Sequence, residues 1–432
     1  MNAYTKNDLK SAWLTLSTNG TPPDPELALR VLPEWSVGIG DWIEQIAQEF
    51  LQGYCRERAH YKLVIAPYGG GKSHFLLAMR HRGLEEGFAV SYLRCSAKTN
   101  LGDWHNLFHQ IANSIHLPNG RDFGIKGMID AAWDRIQSNA SSTDDPDAAI
   151  ELILRSFKGD TEYATPIFTK LVSIILSNRY TNNDNERSIN ALNWLAHGQE
   201  SISRGELAQL GINKISAKEA DRVGEKLFFS LIRFLKNLVG VYGLVLLLDE
   251  TDMMFNTRGQ SMTRLMDACR RLIGEADDGL ESLPVLGLLA AVPSIEEHLG
   301  KYIALEQRFN TIIPFEKGAV GAAKIYLSAC MKDNAFLVKL GERLLELSEH
   351  AFDRKYDTNL QKHNTEVLAQ AACNRMTDID SRRLFVKAWC AFLDFQAANS
   401  EKKLSLDEAN DLLRGSATNL EKSESNKDSD IG

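Results

Sequence analysis

The chain has 432 residues, 44% hydrophobic and 25% charged, with 30 glycines and 11 prolines, a composition that excludes collagen, disorder throughout and a disulfide scaffold. Its length suits two or three domains, each able to bury a core without metal or disulfide staples. Forty-nine basic against 57 acidic residues give a formal net charge of -8, so no global positive field draws it onto nucleic acid; DNA would have to meet a local basic patch or a ring made by assembly.

Residues 1–60 read as a helical N-terminal segment, punctuated by Pro22, Pro23 and Pro25, with an amphipathic run from Gly38 to Gly53. No basic leader with an unbroken apolar run opens the chain, and no later stretch approaches the roughly 20 apolar residues of a membrane helix, so the expectation is a cytoplasmic protein without membrane contact. KLVIA (62–66) is a strand that meets Gly69, Gly70 and Gly71, after which KSHFLLAMRHRGL has helical spacing. FAVSYLRC from Phe88 is the next strand, at the distance of a right-handed crossover.

From about 119 to 220 the sequence loosens into a helical insertion, with SNASSTDDPD and NRYTNNDNER as exposed loops. The helix EKLFFSLIRFLKNLVGV (225–241) then leads into GLVLLLDE (243–250), apolar enough to be a strand buried on both faces. PVLGLLAAVP (284–293) is another, and TIIPF (311–315) closes the set as the last strand. The organisation expected is α/β: a parallel-sheet core over 61–317 carrying the insertion, a helical C-terminal domain over 318–397, and a charged, disordered tail over 398–432. The cysteines at 55, 95, 269, 330, 373 and 390 form no C-x-x-C pair and are expected as buried reduced thiols.

A strand, a glycine loop and a helix in that order make a phosphate site. Ala66 to Ser73, A-P-Y-G-G-G-K-S, fits G-x-x-x-x-G-K-[ST] except that Ala66 replaces the first glycine. Gly69, Gly70 and Gly71, with Tyr68 before them and His74 after, let successive backbone N–H groups turn toward one anion, and the helix starting near Lys72 adds its N-terminal donors. Lys72 can reach the β- and γ-phosphates of a nucleotide, and the Ser73 hydroxyl is positioned to ligate Mg²⁺. The plainer alternative is a glycine-rich turn with an exposed lysine. Such a site also needs an acid at the end of a second buried strand, and LVLLLDE supplies Asp249 for the metal through water and Glu250 as base for the attacking water; the plainer reading of the pair is a helix cap. The nearest match to a guanine-reading N-K-x-D is Asn213, Lys214, Ile215, Ser216, which lacks the aspartate, so ATP is favoured over GTP.

With these motifs and a helical C-terminal region, the chain resembles AAA+ and related P-loop ATPases of the initiator and STAND type. A closer likeness lies in GYCRERAHYKLVIAPYGGGKSHFLLAMRHRGLEEGFAVSYL, NWLAHGQ (193–199) and GVYGLVLLLDETDMM, which resemble the BrxD-like ATP-binding proteins of the BREX phage-defence systems. The likeness covers roughly 35–395, and its highly specific parts are the glycine loop and the acids. It implies an Mg²⁺-dependent ATPase of a defence system that assembles with itself and works beside a helicase partner, possible contact with DNA included. It also implies an AAA+-like core with a C-terminal lid, a trans arginine finger at Arg308, a sensor arginine at Arg382 or Arg383, and an adenine-flanking loop at VGIGDW, which begins with Val37 and Gly38. After PVLGLLAAVP the polar sensor of the pattern is missing, Ser294 alone standing near its place.

His105 and His109 share a helix face in WHNLFHQIANSIH, but Asn106 stands where a zinc protease has Glu, and an ordinary amphipathic helix is the better reading. Arg258, Arg264, Arg270 and Arg271 form a basic cluster after the acids, read first as a solvated helix face. Beside the ATPase, two functions remain: a nucleotide-gated switch that hydrolyses slowly, and a small-molecule kinase, for which no substrate pocket is legible.

Overall fold

The computed structural model describes residues 4–96, 101–118, 123–160, 164–181, 185–255, 283–310, 313–327, 334–374 and 381–429. The chain folds as mixed α/β around one six-stranded sheet: β1 (His60–Ile65), β2 (Ala89–Arg94), β3 (Ile115–His116), β4 (Leu244–Asp249), β5 (Val285–Ala291) and β6 (Lys324–Tyr326), in the order β3-β2-β4-β5-β1-β6. Every pairing is parallel except that of β2 with the short β3.

β4 and β5 are buried along their whole length, as runs of Val, Leu and Ala between helical layers must be. Alternate residues serve opposite faces. Leu244, Leu246 and Leu248 join Leu63 and Ile65 in a core with Trp104, Phe108, Phe228 and the insertion helices. Val245 and Leu247 join Val64, Phe75 and Leu76 of the first βα helix in a second core. That second core also takes Leu9 and Trp13 from the helix Lys6–Asn19, and Leu347 and Trp389 from the helices Asn334–Phe352 and Ser381–Ala398. The two ends of the chain therefore pack together on one face of the sheet. A half-buried link ties them: the Trp13 indole N–H donates to the Asp394 carboxylate at 3.0 Å.

Two expectations are corrected here. TIIPF is not the last strand: Thr311 and Ile312 lie outside the described residues, Ile313 and Pro314 are loop, and Phe315–Lys317 is a 3₁₀ turn. Pro314 has no N–H to give a ladder, and the edge beside β1 is taken instead by Lys324–Tyr326, in a stretch expected to be helical. The segment before β6 is pinned by the buried Lys62, whose Nζ donates to the carbonyls of Val320 and Ala322 at 2.7 and 2.8 Å. Nor is 398–432 a tail throughout, because Leu406–Ser429 is a helix. Ser405 and Glu408 cap its start reciprocally. Ala409, Leu413 and Ala417, spaced by four, bury one stripe in the second core.

Cys55, Cys95 and Cys390 are buried free thiols, whereas Cys373 is exposed; Cys269 and Cys330 lie outside the described residues. Among the described residues no helix is long and apolar enough to cross a membrane.

Candidate functional site

β1 ends at Ile65, opposite Ala291 of β5. Ala66 stays in the sheet's plane, its N–H donating to the Ala291 carbonyl at 3.2 Å, and is 1% exposed, so the methyl that departs from the glycine pattern is accommodated. The chain then turns through Gly69 at φ 78° and Gly71 at φ 82°, a left-handed conformation that favours glycine. Gly70 allows no side chain for another reason: a Cβ there would lie 2.6 Å from the Ala66 Cβ, 2.7 Å from the Pro67 carbonyl oxygen and 3.0 Å from an Arg382 guanidinium nitrogen. The helix Lys72–Glu85 begins directly after Gly71. The first turn of a helix presents backbone N–H groups that an anion can accept from.

Lys72 is not the exposed lysine of the plainer sequence alternative. It is 8% exposed, and its Nζ donates to the carbonyls of Ala66 at 2.8 Å and Pro67 at 3.0 Å. Tyr68, exposed at the tip of the loop, has its ring centre 5.3 Å from that Nζ. Its hydroxyl donates to the Asp252 carboxylate at 2.8 Å. Burial first, and then the bonded Asp252, push the Tyr68 phenol up to about 12. The glycine loop is thus tied directly to the segment that follows the two acids.

Those acids stand at the end of β4, one strand removed from β1. Asp249 is 1% exposed. Its Oδ2 accepts the Tyr92 hydroxyl of β2 at 2.7 Å and its Oδ1 accepts the Glu250 N–H at 2.9 Å. Glu250 is exposed and bends back at φ 55°, an uncommon setting for a residue with a side chain. Thr251, fully buried, clamps the turn to β5: both its N–H and its Oγ1 donate to the Ala290 carbonyl, at 3.0 and 2.8 Å. Burial and the acids at 249, 250 and 252 push the neighbouring Cys95 thiol up, so it stays protonated.

The helix Ser381–Ala398 brings Arg382 to the loop, buried and against Gly70. Arg383, the next residue, turns the other way and donates from Nε to the Asn19 carbonyl at 3.1 Å. Beside the loop lies a cavity of about 140 Å³ whose walls include Trp35, Val37, Gly71, His74, Phe336 and Arg382. Gly38 closes against Phe336, where a Cβ would stand 2.6 Å from the ring. Burial pulls His74 down to about 4, leaving its imidazole neutral.

Arg308 lies on the helix Ile303–Phe309, its side chain outside the described residues; so do Arg258, Arg264, Arg270 and Arg271 entirely. Ser294 sits exposed at the turn after β5. His105 and His109 pack on Trp194 in the first core, with the His109 Nδ1 2.9 Å from the Leu195 carbonyl. No group of metal-binding side chains is found among the described residues.

Two residues of this arrangement escaped the sequence reading. Asp252 follows Asp249 by three, and only the turn at Glu250 swings it onto Tyr68. Tyr92 comes from a different strand, and the register of β2 on β4 is needed to see it.

The donor set suits a nucleotide triphosphate and its metal. The loop has a cradle that a Cβ at position 70 would fill, with one ammonium and one guanidinium beside it. Ser73 opens the helix and Asp249 faces the same end of the sheet, its two oxygens already accepting from protein donors, which favours holding a metal through water.

Residues 25–408 match the family model described as BREX system ATP-binding protein BrxC/D. No curated protein and no solved structure matches the chain. The matched stretch contains the glycine loop, both acids and Arg382, and the chain belongs to the family of BREX system ATP-binding proteins BrxC/D.

Proposed function

We propose that the protein is an Mg²⁺-dependent ATPase in which Lys72, Ser73, Asp249 and Glu250 form one site. The observation that carries this is the Tyr68–Asp252 hydrogen bond, since it ties the glycine loop to the segment that follows the acid pair, 184 residues on in sequence, at the same end of the sheet. Phosphate arriving at the loop takes the Lys72 ammonium from the Ala66 and Pro67 carbonyls, a shift of one flexible side chain. Arg382 adds a second positive charge on the far side of Gly70. Asp249 stays fixed between Tyr92 and the Glu250 N–H, and Ser73 offers its hydroxyl to the metal; Mg²⁺ supplies neutralisation of the phosphate charge. Glu250, exposed at its turn, orients water and takes its proton. The base fits the cavity between Trp35, Val37 and the neutral His74.

In this reading the core is AAA+-like, with the helical C-terminal domain expected over 318–397 as the lid, its helix Ser381–Ala398 delivering Arg382. Self-assembly, with Arg308 as a finger in trans, a helicase partner and a DNA contact complete the proposed defence role. The second reading, a switch gated by ATP occupancy, is favoured by the absence of a polar sensor beyond Ser294.

Calorimetry with ATP and MgCl₂ tests the site. Wild type should bind, and Lys72→Ala should bind at least about tenfold more weakly, by the loss of one charged contact of about 1.5–3 kcal/mol. Equal binding by the two proteins would reject the site. Phosphate release against protein concentration, with and without double-stranded DNA, then separates an assembling ATPase from a slow switch.

A further inference from the structure

We infer that Tyr92 is a positioning residue for the metal-side acid: its phenol holds the Asp249 carboxylate in the orientation from which the metal is held through water. The inference rests on the proposed nucleotide site.

Tyr92 is 9% exposed, in the middle of β2, and its hydroxyl is 2.7 Å from the Asp249 Oδ2. Arg94, not Tyr92, stands opposite Asp249 in the ladder, so the phenol reaches diagonally to the strand end. The Glu250 N–H holds the other carboxylate oxygen at 2.9 Å. A carboxylate gripped at both oxygens cannot rotate about its own bond without breaking one hydrogen bond in a place where water does not replace it. A tyrosine kept only for packing would be served by any acceptor; this one takes the carboxylate that ends β4.

Outer partners of metal-holding groups are worth about tenfold to a hundredfold in metal affinity. The experiment measures ATP binding by calorimetry across a series of MgCl₂ concentrations and again in EDTA, for wild type, Tyr92→Phe and Asp249→Asn, with melting temperatures beside them. Phenylalanine keeps the ring and removes the one oxygen, so the fold should survive. Tyr92→Phe should need about tenfold more Mg²⁺ for half of the metal-dependent tightening, with affinity in EDTA unchanged. Asp249→Asn should lose the tightening. If Asp249→Asn loses it and Tyr92→Phe titrates like wild type, the inference fails and the site stands. Weakening of Tyr92→Phe equally with and without Mg²⁺ would make Tyr92 a packing residue and also overturn it. If Asp249→Asn keeps the full magnesium response, the metal assignment itself fails, and the role of Tyr92 with it.

Discussion

Glu250 carries both a chemical assignment and a strained backbone, and the two can be pulled apart. At φ 55° an L-residue pays about 1–2 kcal/mol that glycine does not, and strain of this kind gathers where function requires it. Its cause is local: Thr251 is clamped to Ala290 by two hydrogen bonds while the Glu250 N–H is held by Asp249, so the turn between them is tight. Glu250→Gly should therefore stabilise the protein by about 1 kcal/mol against urea while abolishing turnover. Glu250→Gln should abolish turnover with stability unchanged, and both should still bind ATP. A Glu250→Gly variant no more stable than wild type would mean that the turn stores nothing, and one that turned over would remove Glu250 from the chemistry. At this scale placement was legible where a motif is contiguous: spacing alone puts Lys72 and Ser73 at the start of a helix after the glycine loop, and Asp249 and Glu250 at the end of a buried strand. Arg382 and Arg383 were a pair in sequence, and only the pitch of their helix sends one to Gly70 and the other to Asn19. Tyr92 and Asp252 needed register and a turn, neither of which composition encodes.

Among the elements, the strands that a sequence reveals are those buried on both faces. The runs at 62–66, 88–95, 243–250 and 284–293 each became a strand within a few residues because short, mostly apolar runs between helical layers have nowhere else to go. β3 and β6, two and three residues long, are too short for any periodicity to register, and TIIPF imitates a strand in composition while its proline denies it the ladder. The helix Leu406–Ser429 was hidden by a different effect. Its polar majority dominates the average, whereas docking depends on one residue in four. Leu413 is fully buried in the second core, so Leu413→Ala should cost about 2–5 kcal/mol in denaturant unfolding. A disordered tail would give no change, and that result would detach the helix from the fold.

At the scale of the whole molecule, the two chain ends share a core on the face of the sheet that also carries the loop helix, and the cavity beside the loop is walled by both. Nucleotide bound there would bridge the N-terminal helices, the glycine loop and the C-terminal helices, and its occupancy would then bias how these parts sit together. Arg308 tests whether the coupling extends to a second copy. Its helix, Ile303–Phe309, ends beside the sheet's edge: the Asn310 side-chain oxygen accepts from Lys324, the first residue of β6, at 2.9 Å. The edge strand is β6 rather than TIIPF, yet the helix still lies at the rim, where a neighbour would dock. A trans arginine finger is worth about 10³ to 10⁵ in rate in P-loop enzymes. Arg308→Ala should bind ATP and associate as wild type does, and hydrolyse poorly. Mixed with Lys72→Ala, which fails at its own loop but keeps its arginine, it should recover part of the activity, because at some interfaces an intact loop meets an intact finger. Phosphate release from a series of mixing ratios reads this directly. Activity that stays flat across the series, with a wild type that is monomeric and hydrolyses ATP, would confine catalysis to one chain and remove Arg308 from it.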